Sequence, residues 1–169
     1  AEGDGLPGLI ADFYAGVLVI QCHTPGMHNV IKLLCSAFSE ALGDKLVAVY
    51  DKSSKALAKH GGTVSEDGVV CGKMPVEHFA TEHGHKFNID WKEGQKTGFF
   101  IDQRENRKLL GHYSKDKKVL NVFSYTGGFS IYAMKAGAKE VHSLDSSARA
   151  LEICEENVAL NALNMDEHK

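Results

Sequence analysis

The sequence predicts an α/β protein in two parts: an α+β unit first, then a parallel strand-helix-strand-helix unit. Three observations carry this. The runs "LIADFY" and "VLVIQCH" flank Ala15-Gly16, as the arms of a β-hairpin flank a two-residue turn. "HNVIKLLCSAFSEAL" repeats its apolar residues at helical spacing. From Lys118 onward, two unbroken apolar runs alternate with helical segments, which is the rhythm of a parallel sheet with crossover helices.

In order along the chain, the hairpin is followed by a helix over residues 28–42. Val30, Ile31, Leu34, Ala37, Phe38, Ala41 and Leu42 share one face of it, and Gly43 is a natural stop. "KLVAVYD" reads as a third strand. Residues 53–75, with a glycine pair at 61 and 62, show no clear period. "PVEHFATEHG" and "HKFNIDW" form a second hairpin around Gly84, the latter alternating Phe87, Ile89 and Trp91 at period two. The polar "EGQKTG" then reads as a link, dividing the chain into residues 1–92 and 93–169. A helix from about Asp102, capped by that residue, turns Leu109 and Leu110 inward. "KVLNVFS" is a strand buried on both faces, "GFSIYAMKAG" a helix closed by Gly137, and "KEVHSLD" a second buried strand. A last helix starts after an N-cap at Ser146 or Ser147 and turns Ala148, Leu151, Cys154 and Val158 inward.

Composition narrows the function classes. At 169 residues with 43 % hydrophobic and 24 % charged side chains, the chain has the make-up of a globular protein with a real core. It has no apolar run of 18 residues and no basic, apolar leader at "AEGDGLPGLI", so neither membrane insertion nor export is expected and the cytoplasm is the default address. Cys22, Cys35, Cys71 and Cys154 are widely spaced, with no C-x-x-C pair. All four are expected to be reduced, with Cys35 and Cys154 as core packing. His83 and His85 flank a glycine in a turn, and His78 stands apart, so no metal site is expected. Net charge is −3, yet residues 92–118 carry eight Lys and Arg against four acids, while 140–169 carry seven acids against Arg149 and Lys169. That asymmetry allows a basic face for a polyanion, although a solvated helix is its commoner origin.

The chemistry concentrates in "VLNVFSYTGGFSIYAMKAGAKEVHSLDSS". Ser124-Tyr125-Thr126-Gly127-Gly128 lies where a buried strand hands over to a helix, and paired glycine there lets a ligand approach the helix N-terminus. It is neither a P-loop nor a G-x-G-x-x-G fingerprint, and by itself it is as much a turn as a cradle. Asp145 adds weight. It ends the next strand 17 residues beyond Gly128, near the offset at which an acid meets a ribose diol, and it can also cap the helix that follows. Pattern alone thus points to a nucleoside-bearing cofactor at the carboxyl ends of these strands.

Together, "GQKTGFFIDQRENR" and "VLNVFSYTGGFSIYAMKAGAKEVHSLDSSARALEICEENVALN" resemble the class I S-adenosylmethionine-dependent ribosomal RNA methyltransferases of the large-subunit methyltransferase I type, which make 5-methylcytosine in 23S RNA. "GDGLPGLIADFYAGVLVIQ" is similar to the central domain of that family, so the resemblance covers nearly the whole chain. It implies an α+β central domain followed by the first half of a Rossmann-like class I methyltransferase sheet. The cofactor is then S-adenosyl-L-methionine, wrapped at its amino-acid end by Phe123, Ser124, Tyr125, Thr126, Gly127 and Gly128. Asp145 and Ser146 sit at its ribose, and Thr97, Gly98, Gln103 and Arg104 fold back over the same pocket. Arg107 and Lys108 are candidates for RNA phosphate contact. Asn121 stands where many class I enzymes carry an acid, a feature shared with the resembled family.

The same resemblance places the catalytic groups, a Pro-Pro motif and a cysteine that attacks cytosine C6, beyond Lys169. None of the four cysteines matches the nucleophile, so no catalytic residue is nominated. The expectation is a fragment that holds cofactor without turnover, and whose uncovered sheet pairs with a second copy. A guanine-N methyltransferase, a non-catalytic RNA-binding module and, remotely, a nucleotide-dependent oxidoreductase are the alternatives.

Overall fold

A computed structural model describes residues 2–59, 66–76 and 79–169. The chain divides into two compact units, one of residues 1–78 with 89–99 and one of residues 79–88 with 100–169. This grouping differs from the boundary at residue 92 read from the sequence: the polar link groups with the first unit and the second hairpin with the other one.

The first unit is built on a four-stranded sheet ordered β1-β2-β3-β4, from β1 (Leu9–Tyr14), β2 (Val17–Cys22), β3 (Ala48–Asp51) and β4 (Gly68–Gly72). β1 and β2 form the expected hairpin with Tyr14 opposite Val17. Its turn is left-handed at both Ala15 and Gly16, which matches the twist of the flanking strands. β2 and β3 are parallel, joined by α1 (Pro25–Asn29) and α2 (Ile31–Leu42). One helix was expected over this span. Instead Thr24 caps a short helix that begins with Pro25, and the chain breaks at Val30, which is exposed rather than inward. α2 lays Ile31, Leu34, Cys35 and Phe38 on Leu9, Leu18, Ile20, Cys22 and Val49 of the sheet. The region without a clear period supplies α3 (Ser54–Lys59) and β4, while the glycine pair at 61 and 62, like His78, lies outside the described residues.

Cys35 on α2 and Cys71 on β4 are joined as a disulfide, which corrects the expectation of four reduced thiols. The cause is tertiary: α2 crosses the sheet and brings together positions 36 residues apart. Cys22 and Cys154 are free and buried.

The second unit comprises β5 (Phe79–Glu82), β6 (His85–Asn88), α4 (Arg104–Ser114), β7 (Lys118–Val122), α5 (Gly128–Lys135), β8 (Glu140–Leu144) and α6 (Ala148–Leu160). β5 and β6 pair as an antiparallel hairpin, and β7 and β8 pair in parallel with Asn121 opposite Ser143. Both α5 and α6 lie on the face of β7 and β8 that carries Asn121 and Ser143. Ser130 of α5 accepts from Asn121 Nδ2 at 2.9 Å and meets Ser143 Oγ at 2.7 Å, while Cys154 of α6 lies against Ser143. The opposite face presents Leu120, Val122 and Leu144, all exposed. β7 and β8 were expected to be buried on both faces; with both helices on one side, only one face is.

α4 departs from expectation in its cap and its inward face. A 3-10 turn, Ile101–Gln103, precedes it, and its N-cap is Gln103 without a side-chain cap, not Asp102. Leu109 faces solvent, while Arg107, Gly111 and Ser114 are the buried positions. α6 is capped as predicted, with Ser147 Oγ accepting from the Ala150 amide at 3.2 Å.

Candidate functional site

The turn after β7 is the most strained stretch of the second unit. Phe123 (φ 60°) and Tyr125 (φ 50°) are left-handed although neither is glycine, and Gly127 (φ 76°) follows. Such conformations cost non-glycine residues about 1–2 kcal/mol each and persist where the surroundings hold them. The holds are visible. Ser124 N–H donates to Leu144 O at 3.0 Å, Tyr125 N–H to Asp145 Oδ2 at 2.8 Å, and Gly127 N–H to Ser124 O at 2.9 Å. A Cβ on Gly127 would collide with Cys154 Sγ, so glycine is required for packing as well as for conformation.

The side chains around this turn fall into two groups. The Ser124 and Thr126 hydroxyls are buried with no hydrogen-bond partner among the described residues, an uncommon state for buried polar groups. They stand at the start of α5, where free amides and the helix dipole favour a carboxylate. Asp145, at the end of β8, has one oxygen on the Tyr125 amide at 2.8 Å and the other on the Ser147 amide at 2.9 Å, so its carboxylate ties the turn to the start of α6. Ser146 beside it is exposed, as is Phe123, 88 % accessible at the rim.

Two residues that sequence reading did not single out, Asn157 and Phe100, contact this turn, and a third, Asn161, works beside Asn157. Asn157, fully buried on α6, donates from Nδ2 to Thr126 O at 2.9 Å and accepts from the Asn88 amide at 2.7 Å. Asn161 makes the matching pair on Lys86, accepting from its amide at 2.9 Å and donating to its carbonyl at 2.7 Å. The two asparagines, four apart on α6, thereby satisfy backbone groups of β6, and Asn157 pins the turn. Their signal was an amide at 157 beside inward Val158 on an otherwise apolar face. The Phe100 ring meets Tyr125 edge-on with centroids 5.4 Å apart.

The remaining predicted residues are placed differently. Thr97 is buried within the first unit, donating to Asp12 Oδ2 at 2.5 Å and accepting from Tyr14 Oη at 2.7 Å. Gly98 (φ 120°) is pressed against Asp90 and Ile89 of that unit. Both have structural roles: the Thr97 proton is committed to Asp12, and a Cβ at Gly98 would strike the Asp90 backbone. Gln103 accepts from Asn106 at 2.9 Å. Half-exposed Arg104 lies 3.4 Å from Glu82.

Arg107 is corrected outright. It is 2 % exposed, and its guanidinium grips Glu82 with two bonds, Nε to Oε1 at 2.8 Å and Nη2 to Oε2 at 2.7 Å, while Nη1 donates to Phe100 O at 2.9 Å. A phosphate cannot reach it. Burial pushes the Glu82 carboxyl up, but the hydrogen bonds and charge of Arg107, with a bond from Tyr132, outweigh this and hold it below the ordinary range. Burial and the neighbouring Glu82 push the Tyr132 phenol up. Lys108, the other RNA candidate, is exposed. Burial likewise pushes the Cys154 thiol up to about 11, which leaves it a packing group and not a nucleophile.

A strained strand-to-helix turn, facing an acid at the end of the next parallel strand, is an arrangement that suits the nucleoside-cofactor half of an α/β transferase or oxidoreductase. The choice between these classes comes from comparison with known proteins. Residues 4–168 match the S-adenosylmethionine-dependent methyltransferase family, and the chain belongs to it. It is 42 % identical over 166 residues to ribosomal RNA large subunit methyltransferase I of Aeromonas salmonicida, covering 98 % of this chain and 41 % of that protein. Among solved structures it is similar to a protein of Streptococcus mutans assigned as a SAM-dependent methyltransferase (25 % identity, TM-score 0.81, 96 % of this chain and 41 % of that one). It is also similar to SMU.776, assigned as a methyltransferase and solved with S-adenosylhomocysteine (26 % identity, TM-score 0.84, 99 % and 42 %). The chain thus spans about two fifths of the length of these relatives. The fold is Rossmann-like, and the cofactor of the family, S-adenosylmethionine, fits the residues present: two buried hydroxyls and a helix N-terminus for its amino-acid end, and a carboxylate for its ribose.

Proposed function

We propose that this chain is the cofactor-holding part of an enzyme that methylates a base of large-subunit ribosomal RNA, with cytosine C5 as the target atom. The observation that carries the cofactor site is the pair of unpartnered hydroxyls, Ser124 and Thr126, in a strained turn facing Asp145. The RNA substrate rests on the relatives' function and on sequence similarity over nearly the whole chain.

S-adenosylmethionine supplies an electrophilic methyl group on a sulfonium sulfur. The residues of this chain hold it. Ser124, Thr126 and the amides opening α5 take the amino-acid end, Asp145 accepts from the ribose hydroxyls, and Phe123, Tyr125 and Ser146 border the site. Gly127 and Gly128 keep the turn low enough for the cofactor to approach. Methylation at cytosine C5 needs a thiolate at C6 first, because the ring carbon is a poor nucleophile. Cys22 and Cys154 are both buried with thiols pushed up, so we assign that step to residues outside this chain, which alone binds cofactor without turnover. The same reading places the protein in the cytoplasm, with its RNA.

Calorimetric titration of the chain tests the site. S-adenosylhomocysteine should bind and NAD should not, and Asp145→Asn should weaken binding about tenfold, the worth of one good hydrogen-bonded contact. Binding of NAD in place of S-adenosylhomocysteine overturns the reading. Nucleoside mass spectrometry of large-subunit RNA from cells lacking the gene tests the target. Loss of 5-methylcytosine is expected, and loss of a methylguanosine instead transfers the assignment to guanine.

A further inference from the structure

We propose that Glu82 and Arg107 are positioning residues for the cofactor turn, acting through Phe100 on Tyr125; the proposal rests on the reading of that turn as the cofactor site. The links are continuous and all lie within the second unit. Glu82, in the β5-β6 hairpin, binds the Arg107 guanidinium in a two-bond fork, and Tyr132 on α5 donates to the same carboxylate at 2.9 Å. Arg107 spends a third donor, Nη1, on the carbonyl of Phe100. That bond, with the one from the Gln103 amide to the same carbonyl at 3.2 Å, holds the backbone from which the Phe100 ring extends, and the ring meets Tyr125 edge-on at 88°. Tyr125 in turn is the left-handed residue whose amide bonds Asp145.

The physical case lies in what each link would do alone. A buried ion pair is a poor source of stability, because desolvating both charges offsets most of the attraction, and what it supplies best is a fixed geometry. Arginine suits this role because its planar fork serves a carboxylate and a carbonyl together, which lysine cannot do. Tyr125, for its part, occupies a conformation that costs energy, and its amide bond to Asp145 orients the carboxylate that meets the ribose. An edge-on ring contact adds about 0.5–1.5 kcal/mol, on the scale of the left-handed penalty it helps to offset. Without Arg107 the Phe100 carbonyl loses the shorter of its two bonds and keeps the 3.2 Å bond from the Gln103 amide, the ring is held less firmly, and Tyr125 is freer to leave the left-handed region, taking its bond to Asp145 with it.

The test is a double-mutant cycle read on S-adenosylhomocysteine affinity, with Glu82→Gln, Arg107→Lys and Phe100→Leu. Each single variant should weaken binding roughly threefold to tenfold. In the Phe100→Leu background, Glu82→Gln should add nearly nothing, since the path it acts through is already cut. A second readout needs no ligand: in amide NMR spectra, Glu82→Gln should move the Tyr125 and Gly127 resonances and leave those of Val19 and Val49 in place. Additive losses in the cycle, unchanged affinity in Glu82→Gln, or unmoved Tyr125 and Gly127 amides would each overturn the proposal. If the parent chain binds no S-adenosylhomocysteine, the cofactor reading fails, and the NMR arm still decides the positioning path.

Discussion

Two turns of this molecule share a backbone pattern and differ in how they treat their hydroxyls. Residues 96–99 alternate left-handed positions at Lys96 and Gly98 around a buried Thr97, and residues 123–127 do so at Phe123, Tyr125 and Gly127 around buried Ser124 and Thr126. Thr97 is fully spent on Asp12 and Tyr14. The Ser124 and Thr126 hydroxyls have no partner among the described residues. Strain and burial alone therefore do not separate the two turns, since both have them. Hydrogen-bond satisfaction separates the two turns, because an unsatisfied buried hydroxyl is a standing cost that a ligand can remove.

The largest effect that would sharpen the comparison is at Gly127. Gly127→Ala adds a left-handed penalty to a collision with Cys154, and should lower unfolding stability by about 2–5 kcal/mol in urea titrations. Gly84→Ala is the control. Gly84 is also left-handed, at φ 81°, but an added Cβ there meets nothing, so the loss should be only about 1–2 kcal/mol. Equal losses at both sites would show that the collision with Cys154 is absorbed at no cost. Next comes Thr97→Val, which removes the donor that Asp12 holds and should cost about 1–3 kcal/mol while leaving S-adenosylhomocysteine affinity unchanged.

Acid provides a further, smaller effect. The Glu82 carboxyl is held below its unfolded value, so its contribution is fully present above the ordinary carboxylate range and is lost as pH falls through the folded value. Stability measured against pH should therefore decline on the acid side, and Glu82→Gln should flatten that decline. A decline of the same steepness in the variant would assign it to other carboxylates.

How much the sequence disclosed follows the range of the interactions. The parallel strand-helix-strand-helix order, the first hairpin and the Ser147 cap were readable because apolar periodicity, turn residues and capping act over a few neighbours. The position of Asp145 was readable because the spacing of a βαβ unit is nearly fixed. Errors came where partners are distant. Arg107 looked like a surface cation because Glu82, 25 residues earlier, was not recognisable as its partner, and the charge run around it is exactly the composition of a solvated helix face. The second hairpin groups with later elements because its edge is satisfied by Asn157 and Asn161, 69 and 75 residues further on, which local pattern does not show. Cys35 and Cys71 met for the same reason, across a sheet that local pattern does not assemble.

The smallest expected change in stability is the most informative. Thr126→Val keeps the shape of a side chain that is 1 % exposed and removes a hydroxyl with no partner. No intramolecular bond is lost and an unsatisfied polar group is removed, so stability should stay within about 0.5 kcal/mol or rise. The same change at Thr97 breaks a bond. If the hydroxyl of Thr126 is kept for the cofactor, its cost must appear elsewhere, as a loss of about tenfold in S-adenosylhomocysteine affinity, near the worth of one hydrogen bond. The paired outcome, stability lost with affinity kept at Thr97 and stability kept with affinity lost at Thr126, is what the difference between the two turns requires. Stability lost at Thr126 with affinity unchanged would mean that its hydroxyl serves the fold, and the two turns would then be the same kind of structure.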